Sequence, residues 1–295
     1  MFHRIRVGEV TVPVTAWILA LLCFLTPPAV RAAAADGCEA KYGSGARVLT
    51  VATGSPGELG LLKALADAFT SLENSTLCWV KAGTGESLDL LRAGKVDVIM
   101  VHSPEGERKA VDEGWAAQRT LIGSNEFFIV GPPGDPAKVS GAKSAADAYT
   151  RIAKAHARFF SRGDDSGTHR KEMEIWRMAH LSPSGDWYVV TNAYMMATLR
   201  RANSEQGYFM TDSSTWAAAV RELSGLTILF RGDPFIVNTY HALRRPGGSA
   251  AAELAGRFIV FVSSPDGQRI IREFGRDRYG EGLYNDAEYA RRFVR

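Results

Sequence analysis

From residue 47 to residue 230 the sequence repeats one local pattern. A short apolar run is followed by a turn rich in glycine and hydroxyl residues, and then by an amphipathic helical stretch. Residues 47–52, 77–81, 96–101, 125–131, 159–161, 207–210 and 226–230 read as strands. Helical spacing appears after most of them, as in Leu59, Leu62, Leu65 and Phe69. Strands that alternate with helices need crossovers that place helices on the sheet faces. The pattern therefore predicts an α/β fold with a largely parallel sheet covered on both sides. The cluster Pro132-Pro133-Gly134-Asp135-Pro136 interrupts the pattern and marks a domain boundary. A second extended segment, residues 235–243, mirrors the strand at 125–131. Amphipathic helices at 251–261 and 266–274 close the chain and are expected to return to the first domain. Two lobes joined by two crossing strands leave a cleft between them, and α/β ligands bind at the carboxyl ends of strands.

Four turns at strand ends carry the chemistry. They are Thr53-Gly54-Ser55, Gly83-Thr84-Gly85, the run from Arg162 to Thr168, and Thr211-Asp212-Ser213. Each leads into a helix, so each offers unsatisfied backbone N–H groups at the positive end of a helix dipole. Asp164 and Ser166 have an equally ordinary role as helix caps. Four such turns around one cleft, only one of them with an arginine, point to capture of a small anion. The candidate binding residues are Thr53, Gly54, Ser55, Gly83, Thr84, Arg162, Ser166, Gly167, Thr168 and Thr211.

The first residues have the order of a secretory signal. Arg4 and Arg6 precede an apolar run to Leu25, and small residues follow to Ala35. The apolar core is too short for an ordinary membrane span. Residues 1–34 are expected to be removed, and Cys23 with them, leaving an exported, periplasmic protein of about 260 residues in one or two domains. The formal charge of the whole chain is +3. Loss of three arginines and Glu9 with the signal brings it to about +1, so no basic surface for nucleic acid remains. Cys38 and Cys78 then lie in an oxidising compartment and are expected to form a disulfide at the start of the second strand.

Enzyme readings fare worse. The turn at Thr53 misses the Gly-x-Ser-x-Gly elbow. Asp165, Ser166 and His169 have the residue types of a triad, but all lie in one turn. No spacing groups His102, His156, His180 and His241 for a metal, so they read as surface or packing residues. Neither a cofactor nor a catalytic residue is expected, although a hydrolase using Ser166 or Ser55 is the alternative from another class.

The string Ser161-Arg162-Gly163-Asp164-Asp165-Ser166-Gly167-Thr168-His169 resembles a signature of tungstate-binding periplasmic proteins. Gly83-Thr84-Gly85, Val101-His102-Ser103-Pro104, Ile129-Val130-Gly131-Pro132, Gly185-Asp186-Trp187-Tyr188 and Ala197-Thr198-Leu199-Arg200 look like further landmarks of that family, in its order. The resemblance implies a two-lobed, type II periplasmic binding fold, with lobe 1 at 35–131 and 236–295 and lobe 2 at 132–235. It implies delivery of an oxyanion, tungstate first and molybdate next, to a membrane ABC permease by a monomeric binding protein. It puts the anion-binding arginine at Arg162 and its companion threonine at Thr168. The family's first-lobe run of threonines ending in serine falls on Ala52-Thr53-Gly54-Ser55, and a serine expected farther on is Leu59. With fewer hydroxyls, backbone N–H groups at Gly54 and Ser55 substitute, or a different anion such as sulfate, phosphate or an organic anion fills the space.

Overall fold

The crossing strands come first, because they position everything else. In the computed structural model, which describes Met1 and residues 37–294, the strand expected at 125–131 runs over Ala117–Gly131. Its first part, up to Glu126, pairs antiparallel with the return strand Val237–Arg244. Its last part, from Phe127, pairs with strands of the other lobe. One continuous strand thus belongs to both sheets. Residues 117–124 escaped the sequence reading because Gln118, Arg119, Thr120 and Ser124 break the apolar run. The return strand is shorter than expected. Pro234–Ile236 form a 3₁₀ turn in which the Asp233 carboxylate accepts from the Phe235 amide at 2.9 Å, so residues 235 and 236 are turn rather than strand.

In the first lobe, β1 (Ala40–Gly43), β2 (Arg47–Thr53), α1 (Ser55–Glu58), α2 (Leu61–Glu73), β3 (Ser75–Lys81), α3 (Thr84–Arg92), β4 (Val98–Val101) and α4 (Pro104–Asp112) lead to β5, the crossing strand Ala117–Gly131. The second lobe holds α5 (Ala145–Lys154), β6 (Phe159–Ser161), α6 (Gly167–Met178), β7 (Tyr188–Val190), α7 (Met195–Ser204), β8 (Tyr208–Asp212), α8 (Ser213–Ala219) and β9 (Thr227–Phe230). After β10, the return strand Val237–Arg244, come α9 (Ala250–Ser263), α10 (Pro265–Glu273), α11 (Arg276–Tyr279), β11 (Asn285–Asp286) and α12 (Ala287–Ala290). Helix α8 ends at Ala219 and tightens into a 3₁₀ turn at Val220–Glu222.

The first sheet has the order β1-β3-β2-β4-β10-β5. Its β2 is parallel to β3 and β4, and its β10 is antiparallel to β4 and β5. One face buries Leu49 and Val51 against Leu62, Leu65 and Phe69 and against Leu254, Phe258 and Ile259 of α9. The other buries Ala52, Ile99 and Val101 against Leu88 and Leu91. Strict alternation along β2 sends neighbouring residues to opposite cores. The second sheet runs β5-β8-β6-β7 around Phe127, Phe159, Phe160, Tyr149 and Trp176. Both sheets end their parallel strands at the interlobe face.

Cys38 and Cys78 are disulfide-bonded. Cys78 lies inside β3 rather than at its start, because β3 begins at Ser75 and pairs with the unexpected edge strand β1, where Lys41 stands opposite Cys78. The bridge therefore fastens the segment before β1 to the sheet. The signal segment and its processing site lie outside the described residues. No helix among the described residues is long and apolar enough to cross a membrane.

Candidate anion-binding site

Three of the four turns meet in one cavity between the lobes. Thr53, Gly54, Ser55, Gly83, Thr84, Arg162 and Ser166 line it, together with Pro56, Glu58, Met100, His102, Tyr194 and Tyr240. Its volume is about 20 Å³. Sites for organic ligands are typically about 300–1,000 Å³, so the space suits a compact ligand. Gly83 of the first lobe faces Ser166 of the second closely enough that a Cβ on Gly83 would sit 3.6 Å from the Ser166 Cβ. Gly167, Thr168 and Thr211 are buried but do not line the cavity. The fourth turn is committed to structure. The Asp212 carboxylate accepts from the Thr215 amide at 2.8 Å and from the Thr215 hydroxyl at 2.8 Å, capping α8.

Arg162 directly follows β6 and is only 4% exposed. Its Nε and Nη2 donate to Oδ2 of Asp164 at 3.1 and 2.5 Å, while Oδ1 of Asp164 accepts from the Ser166 amide at 3.2 Å. A guanidinium has five N–H donors. Asp164 takes two and leaves the rest to the cavity that Arg162 lines. Asp164 therefore orients the arginine instead of capping the helix. The cap is Ser166, whose hydroxyl accepts from the His169 amide at 3.3 Å. Gly163 makes this turn possible. It sits at φ +66°, and a Cβ there would lie 2.2 Å from Val190 Cγ1.

The hydroxyls of the first lobe divide by role. Thr53 donates to the Met100 carbonyl at 2.8 Å, so its proton is already used. The Trp79 indole donates to the Thr53 carbonyl at 2.9 Å and braces the turn from behind. Neither the Ser55 nor the Thr84 hydroxyl bonds another group among the described residues, so both are available to a ligand. Thr168 Oγ1 and His102 Nδ1 are buried with no hydrogen-bond partner among the described residues. A buried polar atom left unpaired costs about 1–3 kcal/mol.

His102 is the cavity residue that sequence reasoning assigned to surface or packing. It stands at the end of β4 with its ring 4.9 Å from that of Tyr240. A Cβ on Gly167 would come within 2.3 Å of its Cε1, so the α6 terminus approaches the imidazole as only glycine permits. Burial first, and then the Arg162 charge, pull its pKa down to about 3. It is neutral at ordinary pH and adds no second cation. The signal that could have found it was its place directly after the buried strand β4, one residue beyond the position that Thr53 holds on β2.

Two of the three departures from the family's hydroxyl pattern lie away from the cavity. Ala52 faces the core of Ile99 and Leu88. Leu59 packs beside the core of Leu62 and Phe69. Only Gly54 lines the cavity, and a Cβ there would meet nothing nearer than the Ala82 carbonyl at 3.3 Å.

No triad forms around Ser166. The His169 Nδ1 accepts from the Asp165 amide at 3.1 Å, and Asp165 is held by Arg170 at 2.6 Å. A larger groove of about 1,040 Å³ opens between α4 and α6. Its lining mixes the acidic Glu105, Asp165 and Glu174 with the basic Lys109, Arg170 and Arg177, and Arg170 is paired with Asp165. No group of three or more metal-ligating side chains occurs among the described residues.

A two-lobed α/β scaffold that points strand ends and helix termini at a small interlobe cavity defines a substrate-binding protein. The sequence matches the PBP superfamily domain over residues 40–266, and the chain belongs to that periplasmic-binding-protein superfamily. It is 31% identical to the tungstate-binding protein TupA of Peptoclostridium acidaminophilum over 90% of this chain and 97% of the relative. The crystal structure of the tungstate ABC transporter from Geobacter sulfurreducens matches with a TM-score of 0.70 at 35% identity, covering 78% of this chain and 100% of that one. The tungstate-binding protein TupA of Desulfovibrio alaskensis G20 matches with a TM-score of 0.68 at 35% identity, covering 82% and 99%.

Proposed function

We propose that this chain is a periplasmic solute-binding protein that captures tungstate, with molybdate as the nearest competitor, and delivers it to a membrane ABC permease. The observation that carries the reading is Arg162. It is a buried arginine that lines a small cavity, with two of its donors held by Asp164 and no other hydrogen bond to a described residue. A compact oxyanion accepts from such a donor set at several points at once. The ligand set in this reading is Thr53, Gly54, Ser55, Gly83, Thr84, Arg162 and Ser166, with Gly167, Thr168 and Thr211 supporting it from behind. Residues 35–131 and 236–295 act as one lobe and 132–235 as the other, and the anion stabilises the closed pair by touching both. The protein works as a monomer without catalysis, after removal of residues 1–34. The relatives named for tungstate support the choice of anion.

A second reading keeps the site and changes the anion. Gly54 brings no hydroxyl where the resemblance implies one, which changes the donor set around the anion and motivates another ligand, such as sulfate, phosphate or an organic anion. Calorimetric titration of the ligand-stripped protein with tungstate, molybdate, sulfate and phosphate separates the two. Tungstate is expected to bind with a nanomolar Kd, about −12 kcal/mol. Tighter binding of sulfate or phosphate would transfer the assignment to that anion, and no heat with any of the four would end the oxyanion reading.

A further inference from the structure

Tyr194 lies outside every motif discussed so far, yet it touches both lobes at the cavity mouth. It is the residue before α7, and its side chain lines the cavity. The Lys81 Nζ, at the end of β3 in the first lobe, stands 4.6 Å from the centroid of its ring. The Arg162 guanidinium carbon, in the second lobe, lies 5.8 Å from the same centroid. Lys81 is itself held in place by Glu58, whose Oε1 is 2.6 Å from Nζ, and Glu58 lines the same cavity. One aromatic ring is therefore shared by a cation of each lobe, one of them the anion-binding arginine.

We propose that Tyr194 is a positioning and retention residue. Its π face couples Lys81 to Arg162 and slows escape of the bound anion. The inference rests on the oxyanion reading of the cavity. The ring attracts each cation through its quadrupole. Because Lys81 and Tyr194 sit on different lobes, their contact exists only while the lobes are together. Breaking it accompanies opening, so the contact lowers the dissociation rate more than it changes the association rate. The ring also limits how Arg162 swings, leaving Asp164 and Tyr194 to fix the guanidinium from two sides. Lys81 does not add net charge to the cavity, because Glu58 balances it. A phenyl ring preserves the π face, so the hydroxyl is not essential to this role.

The test is the release of tungstate from tagged, loaded protein diluted into a large excess of untagged, unloaded protein, with retained tungsten measured over time. A contact of this kind is worth about 0.5–2 kcal/mol, so Tyr194→Ala is expected to release tungstate roughly 2- to 30-fold faster. Tyr194→Phe is expected to restore slow release relative to Tyr194→Ala. In the double variant with Lys81→Met, the acceleration is expected to fall at least twofold short of the product of the single effects, because both changes remove one contact. Unchanged release from Tyr194→Ala, additive accelerations, or a Tyr194→Phe as fast as Tyr194→Ala would overturn the proposal, the last by assigning the effect to the hydroxyl. A wild-type protein that retains no tungstate would instead defeat the functional reading. The Lys81–Tyr194 coupling is then read from denaturant unfolding of wild type, Tyr194→Ala, Lys81→Met and the double variant without ligand, where a coupling below twofold in the unfolding constant overturns the contact itself.

Discussion

Replacing Arg162 with glutamine removes one charge from a buried site and leaves a shorter, neutral polar side chain. The guanidinium is 4% exposed, and Asp164 engages its Nε and Nη2. Of five N–H donors, the remaining three are available to a ligand. If two of these bond the anion, each charge-assisted bond contributes about 1.5–3 kcal/mol, a loss of about 3–6 kcal/mol and a Kd raised roughly 10²- to 10⁴-fold. The variant also leaves the Asp164 carboxylate beside the anion without its partner. The double variant Arg162→Gln/Asp164→Asn is therefore expected to bind more tightly than Arg162→Gln alone, because it removes the repulsion. Tungstate titration by calorimetry, with circular dichroism to confirm folding, measures all three proteins. A folded Arg162→Gln that binds within threefold of wild type would refute the role given to Arg162. A double variant weaker than the single one would refute the repulsion assigned to the unpaired Asp164 carboxylate.

Glu172 supplies a pH prediction. It is buried in α6, accepts from the Tyr188 hydroxyl at 2.6 Å and the Trp176 indole at 3.2 Å, and burial raises its pKa from 4.5 to about 7. Between those values the folded protein holds a proton that the unfolded chain has released, so stability falls as pH rises through this window. The accumulated loss above pH 7 is about 3 kcal/mol, and Glu172→Gln, tested by denaturant unfolding, is expected to match wild type at pH 4 and exceed it at pH 8. Equal pH slopes in the two proteins would contradict this. The disulfide closes a separation of 40 residues, for which chain entropy gives about 4 kcal/mol. Cys38→Ala/Cys78→Ala is expected to unfold at lower denaturant by about that amount, and a shift below about 1 kcal/mol would assign the bridge no stabilising role.

Much of the fold was legible because buried strands such as residues 96–101 and helix faces such as Leu62, Leu65 and Phe69 carry unmixed periodicity. The crossing of the lobes was legible from the two extended segments, but not its extent. Gln118 falls at an irregularity in the β5–β10 pairing, where its side chain accepts from Arg244 at 2.7 Å, and Ser124 is buried between β10 and β11, so neither polar residue follows the apolar pattern of a core strand. Strands β1, β7 and β11 were not legible, since two to four residues at a sheet edge carry no period. In the site, glycine turns announced three of the cavity walls. The sequence did not reveal that the Thr53 proton is spent on Met100, that Asp212 turns inward as a cap, or that His102 and Tyr194 complete the cavity. Those assignments depend on which side of a strand end faces the other lobe, a relation between segments far apart in the chain.

The most direct test of the account is the position of the anion itself. A crystal of the protein grown with tungstate, with data collected at a tungsten absorption edge, locates the metal atom without reference to any assumed chemistry. One dominant anomalous peak is expected in the interlobe cavity, with the anion oxygens within hydrogen-bond reach of Arg162, Ser55 and Thr84. A dominant peak elsewhere, such as the groove between α4 and α6, or a cavity empty at saturating tungstate, would contradict it.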